Sequence, residues 1–69
     1  MKLTYDNKAD AAYIYLEYPI KNGEVKKTVQ LNDSVYIDLD NKQKILGVEI
    51  LNASKSLKKE ILAESKQIA

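Results

Sequence analysis

Val35-Tyr36-Ile37-Asp38-Leu39-Asp40, then Asn41-Lys42-Gln43, then Ile45-Leu46-Gly47-Val48-Glu49-Ile50-Leu51 is the stretch that decides the fold. Apolar and polar residues alternate through both runs. In the first, Val35, Ile37 and Leu39 share a face; in the second, Leu46, Val48 and Ile50 do. A period of two is the signature of a half-buried strand. The link between the runs is short, and short links force antiparallel neighbours.

The same pattern extends toward the N-terminus. Val25 to Leu31 alternates, with Val25, Lys27, Val29 and Leu31 on one face, and Asn32-Asp33 turns the chain. Lys27 is the exception on that apolar face, which suits a strand end at the sheet margin where the Lys stem can snorkel. Ala12 to Tyr18 is the strongest strand, rich in aromatic and β-branched residues. It sets Ala12, Ile14 and Leu16 against Tyr13, Tyr15 and Glu17. Pro19 ends it, and Asn22-Gly23 is a hairpin signal. Leu3-Thr4-Tyr5 is a shorter strand. Asp6 and Asn7 favour an Asx-type turn after it, and Asp6 could cap one helical turn reaching Ala11.

Toward the C-terminus the period changes. Leu57, Ile61 and Ile68 recur at helical spacing, with Ala53 and Leu62 flanking the stripe. Asn52 or Ser54 is placed to cap the start. The sequence therefore predicts an α+β fold: an antiparallel β-meander of four to five strands with one C-terminal amphipathic helix packed on one face. Residues 1–69 form one domain.

Composition excludes much chemistry. The chain has no Cys and no His, so disulfides, thiolate zinc sites, imidazole ligands and the usual nucleophile–base pairs are excluded. All 11 basic residues are Lys, and the net charge is +1. Without Arg, bidentate phosphate and guanine recognition is missing, so nucleic acid is not expected as a partner. No stretch approaches the roughly 20 apolar residues of a membrane helix. The N-terminus lacks the apolar region of a signal peptide. The expected location is cytoplasmic, with no membrane association.

Three groups of side chains remain as candidates. Asp38 and Asp40 share a strand face, and Glu49 on the next strand could join them in an oxygen-ligand site. A solvated face entering an Asp-Asn turn explains the same spacing. Asp6 and Asp10 flank a turn, where capping explains them as well as acid–base chemistry does. Tyr13, Tyr15 and Tyr36 lie opposite the aliphatic set and form a candidate interface; cross-strand packing is the plain alternative. Lys55, Lys58, Lys59 and Lys66 give the helix a basic surface, diluted by Glu60 and Glu64.

Geometry adds an argument for self-association. Five strands span about 20 Å between outer axes, and one helix is only about 10 Å wide. Part of the aliphatic face stays open unless the sheet curls or a second chain covers it.

Tyr5-Asp6-x-x-Ala9-Asp10-Ala11-x-Tyr13-Ile14-x-Leu16, Val35-x-Ile37-Asp38-Leu39-Asp40, Gly47-Val48-Glu49-Ile50-Leu51 and Asn52-Ala53-Ser54-Lys55 together resemble the domain-of-unknown-function 2283 family of short bacterial and archaeal proteins. Tyr15 stands where the family often has a basic or polar residue, and Asn52 where Asp is usual. The resemblance implies no established activity and no catalytic residues. The resemblance also implies that some members are similar, in size and gene setting, to the antitoxin half of small toxin–antitoxin pairs.

The sequence thus points to a non-enzymatic protein-interaction module acting as a homo-oligomer, a dimer in the simplest case, with a small protein as a further partner. No catalytic, cofactor-binding or metal-binding residue is assigned and no cofactor is expected. The alternatives are an antitoxin-like partner of a small toxin and a weak metal-dependent carboxylate enzyme.

Overall fold

A computed structural model describes residues 1–67. Five strands pair antiparallel: β1 (Lys2–Asp6), β2 (Ala11–Tyr15), β3 (Lys27–Gln30), β4 (Val35–Leu39) and β5 (Ile45–Leu51). Two short helices follow, α1 (Ala53–Ser56) and α2 (Lys59–Ala63), and then a two-residue strand, β6 (Lys66–Gln67). The α+β class and the antiparallel pairing of the five longer strands agree with the alternation in the sequence. No helix among the described residues is long and apolar enough to cross a membrane.

The meander is interrupted. Strand order is β3-β4-β5-β2-β1-β6, so β5 lies beside β2 and β3 is carried to the edge. Asn22-Gly23 makes a turn, with Gly23 at φ 80°, but the strands on either side of it do not pair. The physical reason lies in side-chain content. β5 buries Leu46, Gly47 and Ile50 and so takes a central place, whereas β3 is exposed along its whole length and carries Lys27. A Lys-bearing strand is tolerated at an edge and costly in the middle.

Register places the apolar face. Tyr5, Ala12, Ile50 and Val35 form one row across β1, β2, β5 and β4; Leu3, Ile14, Val48 and Ile37 form the next. The pairing of β4 with β5 slips between Asp38 and Leu39, which leaves Leu46 without an opposite residue, the mark of a β-bulge. Ala12, Ile50 and Ala53 are the buried centre, and Leu3, Tyr5, Ile14, Val35, Val48, Leu57 and Leu62 pack against them.

The single long helix predicted from the Leu57-Ile61 spacing is instead two pieces. Leu57 and Lys58 are extended, with ψ near 148° and 147°. Leu57 still closes the first turn through its N–H to the Ala53 carbonyl, at 2.8 Å, and its side chain drops toward the core. Tertiary demand overrides the helical period here. The chain must return to β1, where β6 pairs parallel through Thr4 with Lys66 and Tyr5 with Gln67. Ile68, the last member of the predicted stripe, lies outside the described residues. The packed side of the tail therefore rests on Ala53, Leu57 and Leu62, over β1, β2 and β5.

Candidate functional site

The polar face of the sheet is organised by a tyrosine that crosses a strand. Tyr13 on β2 is level with Glu49 on β5, yet its hydroxyl donates to Asp38 Oδ2 on β4, at 2.5 Å. It reaches over Gly47, where a Cβ would come within 2.7 Å of the ring's Cζ. The missing side chain at Gly47 makes room for the ring. Asp38 Oδ1 accepts a second bond from Thr28 Oγ1 on β3, at 2.6 Å. Tyr13, Asp38 and Thr28 thus tie together strands β2, β4 and β3 across β5.

Tyr15 packs against Tyr13 with centroids 4.6 Å apart, and Tyr18 meets Tyr15 edge-on at 5.0 Å. Lys2 Nζ sits 3.9 Å above the Tyr18 ring, a cation–π contact. Of the tyrosines picked out by alternation, Tyr13 and Tyr15 are brought together. Tyr36 shares Tyr13's row but stands across Glu49. Tyr18 joins the cluster instead. Alternation assigns it to the aliphatic parity, but the chain leaves the strand after Tyr15 and parity no longer governs direction.

Environment separates these phenols. Burial, then the bond to Asp38, pushes the Tyr13 hydroxyl well above the ordinary phenol range. Lys2, and more weakly Lys66, draws Tyr18 below it. A spectrophotometric titration should show Tyr18 ionising early and Tyr13 last; Tyr13→Phe should remove the last step and leave the first in place.

A second network closes the opposite end of the sheet. Asp10 and Asn52 both adopt left-handed backbone, each at φ 51°, a region Asp and Asn tolerate. The Asp10 carbonyl accepts the Ala53 N–H at 2.9 Å. Its carboxylate accepts the Ser54 N–H at 3.0 Å, the Ser54 hydroxyl at 2.7 Å and the Tyr5 hydroxyl at 2.7 Å. Asn52 makes no side-chain capping bond. The cap of α1 therefore comes from the β1–β2 turn, and not from Asn52 or from Ser54's own side chain acting locally. The bonds from Ser54 and Tyr5 hold the Asp10 carboxyl below the usual carboxylate range.

The remaining carboxylates serve turns. Asp6 Oδ1 accepts the Lys8 and Ala9 N–H groups, which is the expected Asx turn in place of a helical turn. Asp40 Oδ1 accepts those of Lys42 and Lys44, which lowers its pKa. Glu49 is exposed between two tyrosines. Asp38, Asp40 and Glu49 therefore do not converge, nor do Asp6 and Asp10. Among the described residues no group of three His, Cys, Asp or Glu side chains is placed to hold a metal ion. The loop after β2 holds a carboxylate pair that alternation does not reveal. Glu24 raises the Glu17 carboxyl, while Glu17, and then the Lys21 N–H that Glu24 Oε1 accepts at 2.9 Å, lowers Glu24.

Residues 2–54 match the family described as "Protein of unknown function (DUF2283)". This chain belongs to that family. The matched DUF2283 segment ends at Ser54, the residue Asp10 holds, so it contains all five antiparallel strands and the clamp that closes them. Helix α2 and strand β6 lie beyond it. Tyr5 near the start of the matched sequence and Ala53-Ser54 at its end meet on Asp10 in this one clamp. The chain is also 40% identical over 55 residues to an uncharacterised protein of Methanocaldococcus jannaschii. That alignment covers 80% of this chain and 43% of the relative, so the chain spans less than half of that relative's length. No solved structure matches the chain.

Proposed function

We propose that this DUF2283 chain is a non-enzymatic protein-interaction module that works as a homo-oligomer, through the half of its sheet that α1 and α2 leave open. The observation that carries the reading is how little of the chain is interior. The buried apolar residues among those described are Ala12, Leu46, Ile50 and Ala53, and no large side chain is fully buried. A core built partly from alanine gives modest stabilisation, since each fully buried Leu or Ile is worth only about 1.5–3 kcal/mol. Domains of this size commonly need an added staple. With no Cys or His in the sequence, disulfides and thiolate or imidazole metal sites cannot supply it, and a second copy can.

Surface area supports the same reading. The chain exposes 5020 Å². A folded monomer of 7.8 kDa is expected to expose about 4,400 Å². The chain thus exposes about 600 Å² more than a compact monomer of its mass. Three of the eight exposed large hydrophobic residues among those described lie on or beside β3: Val25 and Val29 are each 37% exposed and Leu31 is 65% exposed. A net charge of +1 leaves little repulsion between copies. Asp6 and Asp40 serve turns and Asp10 caps α1, which supports a structural role for these three carboxylates over a catalytic one.

Thermal unfolding tests this at once. Because binding only the folded state makes the melting temperature depend on concentration, the midpoint should climb as protein is raised through the micromolar range. A midpoint independent of concentration would count against the module acting as a homo-oligomer.

A further inference from the structure

The open edge of the sheet specifies how two copies would meet. We propose that β3 pairs antiparallel with β3 of a second copy, about a two-fold axis through Val29, to make one continuous sheet. This rests on the self-association reading above and names its geometry.

Backbone phase is the first argument. The Leu31 N–H donates to the Val35 carbonyl, at 2.8 Å, and the register sets Val29 opposite Ile37. Hydrogen-bonded and non-bonded pairs alternate along an antiparallel ladder. Val29 and Leu31 therefore turn their backbone groups toward β4, and Thr28 and Gln30 turn theirs outward. β3 is the last strand on its side of the sheet. A row of outward N–H and C=O groups is a template for another strand.

Register is the second argument. A two-fold axis that keeps apolar faces together must pair residues of like parity. Centred on Val29, it sets Val29 against Val29, Thr28 against Gln30 and Lys27 against Leu31. Each Thr28–Gln30 pair then exchanges both outward backbone bonds. Leu31, the most exposed of the large apolar side chains after Met1 among the described residues, comes to lie under the aliphatic stem of Lys27. No Lys faces a Lys. Centring on Lys27 would oppose two ammonium groups, and centring on Thr28 or on Gln30 would set an outward-facing residue opposite Lys26 or Asn32, whose N–H groups are taken by the Leu39 and Val35 carbonyls.

The free end of the sheet is also prepared from within. Thr28 is fixed by Asp38, and through it by Tyr13, so the outward groups of Thr28 are held in position before any partner arrives. Such preorganisation reduces the ordering cost of association.

Amide hydrogen exchange read residue by residue, together with sedimentation, tests the geometry. In the wild type, protection of the Thr28 and Gln30 N–H groups should rise at least about tenfold on passing from dilute to concentrated protein, as expected when local opening is replaced by pairing. Gln30→Pro should lose the doubled mass while keeping its sheet signal, because the Gln30 N–H makes no bond to β4 and proline is accepted at such edge positions. A wild-type dimer whose Thr28 and Gln30 amides exchange freely at every concentration would overturn the β3 geometry and leave self-association standing. So would a folded Gln30→Pro chain that still dimerises. A wild type that stays monomeric throughout would overturn both. Should Gln30→Pro fail to fold, the wild-type exchange data decide alone.

Discussion

Gly47→Val should destabilise the domain by about 2 kcal/mol, the cost of forcing extra carbon into a filled site together with the loss of one hydrogen bond. For a domain of this length that is a fall of roughly 10 °C in melting temperature. The reason is local and geometric. A Cβ at Gly47 would stand 2.7 Å from Cζ of Tyr13. The ring would have to swing away, giving up Asp38 and its packing on Tyr15. Backbone conformation is not the issue, since Gly47 is not among the positive-φ glycines and valine suits strands. The double variant Tyr13→Ala, Gly47→Val isolates the cause. It should be more stable than the sum of the two single changes predicts, because neighbouring effects of this kind do not add. Additive losses in urea unfolding would show that the glycine is needed for some other reason.

The second large effect is at Asp10. Asp10→Ala should lower the melting temperature more than Asp6→Ala does. Asp10 joins the β1–β2 turn to α1 and Tyr5 through three side-chain bonds, whereas Asp6 serves only its own turn. Alanine is also poorly suited to left-handed backbone. Asp10→Asn keeps the shape and the backbone preference but removes the charge, and so reports on pH. The folded carboxyl of Asp10 is lowered, chiefly by the Ser54 hydroxyl and then by Tyr5. A group depressed in this way contributes stability that is complete above its unfolded pKa of about 3.9 and is lost as pH falls through the lower folded value. Asp40 acts with the same sign, through the Lys44 and Lys42 N–H groups. Asp10 and Asp40 should therefore contribute a decline in wild-type stability below about pH 4, while Glu17, raised by Glu24, acts with the opposite sign. Asp10→Asn should decline less steeply over the acid range. Equal slopes for the two proteins would remove Asp10 from the account.

These two sites mark the limit of what alternation reveals. The strands from Val35 to Leu39 and from Ile45 to Leu51 are legible because one face of each is buried, which fixes the period. The Asx turn at Asp6 is legible because the side chain bonds within two or three residues. The partner of Asp10 is 44 residues away, and no local pattern indicates it. The place of β5 beside β2 is equally nonlocal. It follows from which strands can bear burial on both sides, and the short turn signals pointed instead to simple sequential pairing. The helix period at Leu57 and Ile61 is real in sequence, yet the chain breaks at Leu57-Lys58 to bring β6 to β1.

The candidate site was legible in outline. Alternation placed Tyr13, Tyr15 and Tyr36 on one face, and register confirms that shared face. It could not show that Gly47 lets Tyr13 cross a strand, because a glycine in a strand has several uses. The narrowness of the helical cover also follows from sequence and elementary dimensions. The structure sharpens it: α1 and α2 rest over β1, β2 and β5, and the apolar surface of β3 stays outside.

Whether that surface joins two chains is measured most directly by sedimentation equilibrium over a series of micromolar concentrations at neutral pH. The account predicts a mass that rises from that of one 7.8 kDa chain toward twice that value as concentration increases. A mass that stays at one chain across the whole series would contradict it.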